Sequence, residues 1–383
     1  MDPRRLREIA LEDLPSPCYL VDEDSLEANL QILDNVQQQT GCKILLALKG
    51  FAMWATFPLV GQYLSGTCAS GLYEARLGRE EMGKEVHVFA PAFKEEELIQ
   101  ILQIADHVVF NSFAQWDRFK PIVQQSNRPV SCGIRINPEY SEIEVPLYNP
   151  CVPGSRFGVK AAEFPAVPNG IEGLHFHTLC EQGADVLERT LSVVEEKFGV
   201  FLPQVKWVNF GGGHHITRAD YDIDLLCRLI NEFKIKYGTE VYLEPGEAVA
   251  LNAGVLVATV LDFVYNDINI AILDTSAEAH MPDVLAMPYR PEIVGAGKLG
   301  EYKYTYRLAG VTCLAGDVIG DYSFPEPLEI GSKIVLLDMA HYSFVKNTTF
   351  NGIPLPALAL FTKDNGLQII RQFRYEDYKN RLS

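Results

Sequence analysis

The chain lacks any apolar run of the length needed to cross a bilayer, and its opening segment, Met1-Asp-Pro-Arg-Arg-Leu-Arg-Glu8, is charged with no apolar stretch of a secretion signal. The expectation is a protein with no membrane association, located in the cytoplasm. Cys18, Cys42, Cys68, Cys132, Cys151, Cys180, Cys227 and Cys313 are scattered without a C-x-x-C pair, so neither a zinc knuckle nor a dithiol redox motif is indicated. In a reducing compartment they are expected as free thiols. Positive charge is scarce: 33 Lys and Arg against 50 Asp and Glu leave a formal net charge of −17. Such a surface repels nucleic acid and attracts small cations. Internal repeats and low-complexity tracts are also missing. No G-x-G-x-x-G follows the first barrel-type strand pattern, which removes the dinucleotide-binding reading.

What the 383 residues do contain is alternation. Strand-like apolar runs fall at 43–48, 66–69, 85–90, 107–111, 130–137, 171–177, 205–210 and 240–245. Amphipathic helical patterns lie between most of them, at Leu72–Met82, Glu95–Ile104, Phe113–Gln124, Val186–Phe198 and Tyr221–Lys236. Eight strands alternating with helices predict an α/β fold, a parallel (β/α)8 TIM barrel, over a doubly wound open sheet. After Leu251 the pattern changes to short β-rich runs at 254–263, 268–273, 303–312 and 333–338, punctuated by Gly and Pro. These predict a C-terminal, mainly antiparallel β domain. The expected bounds are 23–250 for the barrel, and 1–22 with 251–383 for the β domain, which the Cys18–Asp22 run could join.

Chemistry in such barrels gathers at the C-terminal ends of the strands. Lys49 ends the first run, Lys43-Ile-Leu-Leu-Ala-Leu-Lys49; an ammonium there should be desolvated, which lowers its pKa and makes it a nucleophile for carbonyl carbon. His175 and His177 end the sixth, on one strand face. No acid close in sequence completes a metal set, so no metal is expected; a ring lying flat on a planar cofactor is the alternative. Gly211, Gly212 and Gly213 follow the seventh strand, where backbone N–H groups can hold phosphate. Glu244, in Glu244-Pro-Gly246-Glu247, ends the eighth; a carboxylate at a barrel centre needs a cation or a donor. The long, proline-punctuated segment 137–158 follows the fifth strand and ends near Arg156, a candidate for an anion or for lining the site. Aldehyde trap, ring stack, phosphate cradle and pyridinium partner together are what pyridoxal 5'-phosphate requires.

The segments Ala47-Leu-Lys49-Gly-Phe, His177-Thr-Leu-Cys-Glu181, Asn209-Phe-Gly-Gly-Gly-His214, Leu243-Glu-Pro-Gly-Glu247, His280-Met-Pro-Asp-Val284, Met287-Pro-Tyr-Arg-Pro291, Cys313-Leu-Ala-Gly-Asp-Val-Ile-Gly-Asp321 and His341-Tyr-Ser-Phe with Phe350-Asn-Gly352 resemble the fold-type III pyridoxal-phosphate enzymes. That alanine racemase-like group includes the ornithine and diaminopimelate decarboxylases, and the likeness is greatest to carboxynorspermidine decarboxylases. It implies that Lys49 captures the cofactor aldehyde, His177 stacks on the ring, Gly211 to Gly213 and Gly246 lie at the phosphate, and Glu244 meets the pyridine nitrogen. It further implies that Tyr342 bonds the phosphate, that Arg135 lies near the cofactor, and that Cys313 enters from the partner subunit of a homodimer as proton donor. Three departures matter. Glu247 stands where ornithine and diaminopimelate decarboxylases have arginine, which argues against a distal carboxylate and for a cationic carboxylated triamine as substrate. Leu314 replaces the acidic residue usual after the cysteine, leaving Asp317 and Asp321 as expected amine ligands, with His280 as a further expected substrate contact. Cys180 stands in place of a serine near the phosphate. The activity implied is decarboxylation of carboxynorspermidine or carboxyspermidine to the polyamine, with diaminopimelate or another basic amino acid as the alternative substrate.

Overall fold

The computed structural model describes residues 3–6, 9 and 11–383; parts of the charged N-terminal segment lie outside them. The chain divides into two compact units, Asn29–Val249 and a second made of Met1–Ala28 with Ala250–Ser383. The divisions fall at 28/29 and 249/250, where the sequence reading placed them at 22/23 and 250/251.

In the first unit, eight parallel strands close on themselves: Lys43–Ala47, Gly66–Ala69, Glu85–Phe89, His107–Phe110, Ser131–Asn137, Gly173–His175, Trp207–Asn209 and Glu240–Leu243. Closure comes from the register Tyr242↔Lys43 and Leu243↔Ile44. The strands are apolar on both faces because helices cover the outside while side chains fill the inside. The Glu95–Ile104 helix buries Leu98, Ile101 and Leu102 and carries three glutamates in its first turn, where the helix dipole favours them. The Ile223–Tyr237 helix begins with the Asp222 carboxylate accepting from Leu225 N–H and stops at Gly238, whose φ of +68° needs no Cβ. The strand expected over 171–177 is shorter, Gly173–His175, so His177 lies beyond its end.

The N-terminal ends of the strands form a packed floor. A Cβ on Gly173 would sit 2.1 Å from Trp207, so glycine here makes room for the indole. The Trp207 indole N–H donates to Ser131 Oγ at 2.8 Å. Lys43 Nζ donates to Glu85 Oε1 at 2.7 Å, and His87 Nε2 lies 3.1 Å from the other carboxylate oxygen. His107 stacks on His87, with ring centroids 3.9 Å apart. Potential ligand atoms of Glu85, His87 and His107 lie within 4.8 Å of one another. The Lys43 ammonium on Glu85 opposes a second cation in that group, and the two rings are near parallel, 14° apart, so their in-plane lone pairs do not converge.

In the second unit the sheet runs in the order Val318–Phe324, Tyr304–Ala309, Ile268–Leu273, Gly254–Asn266, Cys18–Asp22, Ala357–Thr362, Gly366–Arg371, with Lys333–Leu337 also pairing with Gly254–Asn266. All pairings are antiparallel except Cys18–Asp22 with Ala357–Thr362 and Ile268–Leu273 with Tyr304–Ala309. Cys18–Asp22 therefore does join this sheet. Three of its strands, Val318–Phe324, Ala357–Thr362 and Gly366–Arg371, had no counterpart among the expected runs. No helix among the described residues is long and apolar enough to cross a membrane.

Burial, and then the neighbouring His87, push the His107 pKa down to about 3. Between the unfolded value of about 6.5 and that folded value, only the unfolded chain binds the proton, so stability falls as pH drops through this window. Replacing His107 by Phe, which keeps the ring stack, should remove that part of the slope. Urea midpoints at neutral and acidic pH check this; an unchanged slope refutes it.

Candidate active site

Four turns at the C-terminal ends of the barrel strands are tied by main-chain bonds. Ala47 N–H donates to Pro245 C=O at 3.1 Å, Glu244 N–H to Gly211 C=O at 2.8 Å, and Phe176 N–H to Asn209 C=O at 2.9 Å. Gly50 and Gly246 meet backbone to backbone: a Cβ on Gly50 would lie 2.8 Å from Gly246 Cα. Two glycines thus let the turn carrying Lys49 touch the turn carrying Glu244.

Lys49 Nζ is 3.3 Å from His177 Nε2. Leu45, Leu46, Ala47 and Leu48 before it are buried, but Lys49 itself is exposed, so the desolvation expected of it is not provided by this chain's own packing. Gly212 N–H donates to His177 Nδ1 at 2.9 Å, which fixes Nδ1 as acceptor and leaves the neutral ring's proton on Nε2. Nε2–H can then donate to Nζ only when the lysine nitrogen carries a lone pair, which is its nucleophilic form. Burial, and then the Lys49 and Arg135 charges, hold the His177 pKa well below its ordinary range.

Glu244 is largely buried. Asn209 Nδ2 donates to its Oε1 at 2.8 Å, and His175 Nε2 lies 3.3 Å from Oε2. Burial opposes ionisation, but His175, and then His87 and Asn209, outweigh it and hold the carboxyl below the ordinary range. His175 itself is driven down by burial. Glu244 is thus a carboxylate whose bonded partners are neutral donors. The acid that the His-Phe-His pair lacked in sequence arrives from another strand, yet as a hydrogen-bond partner. Neither Asn209 nor His175 was singled out for this task, because their convergence depends on which strands are neighbours.

The glycine triplet is used differently from the expectation. Gly211 N–H donates to Asn209 Oδ1 at 2.8 Å, and Gly212 N–H goes to His177, so both amides are committed inside the fold. A phosphate cradle here is reduced to the backbone that follows them, at Gly213. A Cβ on Gly212 would lie 2.5 Å from Glu244 C=O, and one on Gly213 would lie 1.9 Å from Leu179 C=O. The triplet's first role is close backbone approach. Burial raises the Cys180 thiol pKa to about 11. Glu247 Oε1 lies 3.6 Å from His215 Nε2.

The buried Arg135 guanidinium lies 4.6 and 4.3 Å from the centroids of the Phe89 and Phe157 rings, which touch each other at 6.1 Å with planes tilted by 50°, and it donates to His177 C=O at 3.1 Å. Arg156 is exposed and lies 4.4 Å from the Phe157 ring centroid, while its carbonyl accepts from Asn111 Nδ2. The 137–158 segment is held at its end by Asn137 Nδ2 donating to Phe157 C=O at 3.0 Å.

Within the β domain, the exposed Cys313 is held by its N–H donating to Asn351 Oδ1 at 2.7 Å, which joins two of the motifs noted in the sequence. Tyr342 has φ +46° and ψ −58°, and Ser343 N–H bonds back to His341 C=O across it. A tyrosine forced into that tight γ-turn stores about 1–3 kcal/mol, a kind of strain that collects at functional sites. Three expected substrate ligands are engaged otherwise. Asp317 accepts from Ser276 Oγ, the Ala277 and Glu278 amides, and both N–H and Oγ1 of Thr312, so its carboxylate is saturated. His280 is buried, with Nδ1 on Thr275 Oγ1 and Nε2 on Pro354 C=O. Asp321 forms a two-bond pair with Arg307 on the neighbouring strand, at 2.8 and 2.9 Å. The expectation that Asp317 and His280 meet substrate is corrected: both organise the β domain, and Asp321 has a cation of its own.

The sequence profile of the pyridoxal-dependent decarboxylases, described with their C-terminal sheet domain, matches residues 18–340. The chain belongs to that family. It is 50% identical, over 97% of its length and 99% of the relative's, to the carboxynorspermidine/carboxyspermidine decarboxylase of Campylobacter jejuni. It is 46% identical to the carboxyaminopropylagmatine decarboxylase of Synechocystis, covering 97% of this chain and 96% of that one. A crystal structure of the Campylobacter jejuni carboxynorspermidine decarboxylase complexed with norspermidine superposes with a TM-score of 0.90 at 49% identity, over 96% of this chain and 100% of that one. Diaminopimelate decarboxylase from Helicobacter pylori, at 18% identity and a TM-score of 0.81 over 98% of each chain, shares the fold.

The chain is a decarboxylase, and pyridoxal phosphate is its cofactor. The residues present fit that group: Lys49 is exposed at the mouth of the barrel with only His177 Nε2 beside it at 3.3 Å, and among the described residues no bonded cation neutralises the Glu244 charge. Replacing Arg135 by Lys keeps the charge but loses the planar guanidinium's contacts with the two phenylalanine rings. About 2 kcal/mol of stability should be lost, read as a lower urea midpoint; an unchanged midpoint means that these contacts contribute nothing.

Proposed function

We propose that this enzyme decarboxylates carboxynorspermidine and carboxyspermidine, yielding norspermidine and spermidine in polyamine biosynthesis. The observation that carries the proposal is near full-length identity of 50% and 37% to two enzymes named for those substrates, one of them seen with norspermidine bound. Relatives named for diaminopimelate stand at 23–24% identity. Glu247 supports the same reading, since a carboxylate suits an ammonium and repels a distal carboxylate. The 46% identity to a carboxyaminopropylagmatine decarboxylase supports a second reading, in which the far end of the substrate is a guanidinium. All three substrates share a cationic chain, the feature Glu247 would recognise. The high net negative charge would raise the local concentration of each.

When bound, pyridoxal phosphate supplies an aldehyde that captures the substrate amine and a conjugated ring that takes up the electron pair left as carbon dioxide departs. Lys49 would hold the cofactor through its aldehyde. His177, fixed by the Gly212 amide and by Arg135 on its carbonyl, would pack against the ring. Glu244 would keep a proton on the pyridine nitrogen. The Gly213 backbone, Gly246 and Tyr342 would hold the phosphate. Cys313 of the partner subunit donates the proton that replaces the carboxylate, which makes the working unit a homodimer in the cytoplasm.

Borohydride reduction of the cofactor-loaded enzyme followed by peptide mapping should label Lys49; a label elsewhere overturns the core assignment. Turnover should be measured on carboxynorspermidine, carboxyspermidine, carboxyaminopropylagmatine and diaminopimelate. Glu247→Arg should cut kcat/KM on the polyamine substrates roughly thirtyfold, the ~2 kcal/mol of one charge-assisted bond, and leave diaminopimelate unharmed. An equal loss on every substrate removes Glu247 from recognition.

A further inference from the structure

Glu244 raises a problem that the family assignment does not answer. Its carboxylate must stay charged to hold a proton on the pyridine nitrogen, yet it must also be fixed in place inside a barrel. A cationic partner would fix it, but would compete with the pyridinium for its charge. A neutral donor fixes it and leaves the charge available.

His175 meets this requirement. It is the last residue of the Gly173–His175 strand and is buried. Its Nε2 faces Glu244 Oε2 at 3.3 Å, while Asn209 takes Oε1 at 2.8 Å. Donation to a carboxylate requires the proton on Nε2. Nδ1 is then the lone-pair nitrogen, and among the described residues it is buried without a hydrogen-bond partner, so none of them offers it a second proton's stabilisation. The ring is also clamped. It stacks on Phe89 with centroids 5.4 Å apart and planes 24° apart. Phe89 also contacts the Arg135 guanidinium, 4.6 Å from its ring centroid.

We propose that His175 is a positioning residue for the cofactor: as a neutral Nε2–H donor, clamped by Phe89, it orients Glu244 toward the pyridine nitrogen without neutralising it. The inference rests on the reading that Glu244 faces that nitrogen.

The test uses holoenzyme, with two readouts besides turnover: the absorption spectrum of bound cofactor from about pH 6 to 9, and the rate of cofactor release on dilution. Three variants are compared with the parent. Glu244→Gln tests the underlying reading and should displace the spectrum's pH profile. His175→Phe keeps the stacked ring but removes the donor. It should displace the profile in the same direction and speed release about tenfold, as when a hydrogen-bond partner behind a liganding group is lost. His175→Gln restores a neutral donor and should return both readouts to within about twofold of the parent. If Glu244→Gln moves the profile and His175→Phe moves neither readout, His175 has no positioning role and the Glu244 reading stands. If Glu244→Gln leaves the profile unmoved, the pyridine-nitrogen reading fails and this inference falls with it. Should His175→Phe not fold, Phe89→Leu loosens the clamp without touching the donor; release as slow as in the parent then overturns the proposal.

Discussion

Closure of the barrel between its first and last strands is the constraint on which the rest depends. The register Tyr242↔Lys43 and Leu243↔Ile44 places two strands that are nearly 200 residues apart side by side. Their C-terminal turns then meet, with Ala47 N–H on Pro245 C=O and the Gly50 and Gly246 backbones in contact. Lys49 and Glu244 are brought into one site by main-chain geometry, before any side-chain interaction between them. Residues at strand ends inherit their spacing from the sheet.

The interior of the site is organised by neutral donors and stacked rings. Glu244 keeps its charge because Asn209 and His175 hold it without cancelling it. His177 is oriented from three sides, by the Gly212 amide, the Lys49 nitrogen and Arg135 on its carbonyl. The buried Arg135 is tolerated because two aromatic faces take the place of water around its guanidinium. The opposite end of the barrel is built on other principles. There Lys43 and Glu85 form a direct ion pair, and Trp207 fills the space that Gly133 and Gly173 leave. One end is packed for closure and the other is arranged for chemistry.

The β domain shows how an acidic residue in a shared motif can be fully engaged inside the fold. Asp317 lies in a segment shared with the family, and the natural inference was recognition of an amine. Its five accepted bonds show that it ties the 276–278 turn to Thr312, next to Cys313. The Cys313 amide is fixed in turn by Asn351. Acidic residues in sequence advertise charge, but whether the charge is available depends on how many donors the fold points at it.

The sequence by itself determined the barrel, because eight apolar runs alternating with amphipathic helices have few other solutions. It also determined the residue types at the strand ends, Lys49, His177, Glu244 and the glycine triplet, since each stands next to a punctuating turn. It left three strands of the β domain unread, because short strands there carry no strict period. Only the tertiary structure decided which of these groups meet. Asn209 and His175 converge on Glu244 from separate strands, and Phe89 from a strand and Phe157 from the 137–158 loop converge on Arg135. Two of the triplet's amides, of Gly211 and Gly212, are turned inward by Asn209 and His177. Partner choice of this kind is set by strand order and register, which no local pattern encodes.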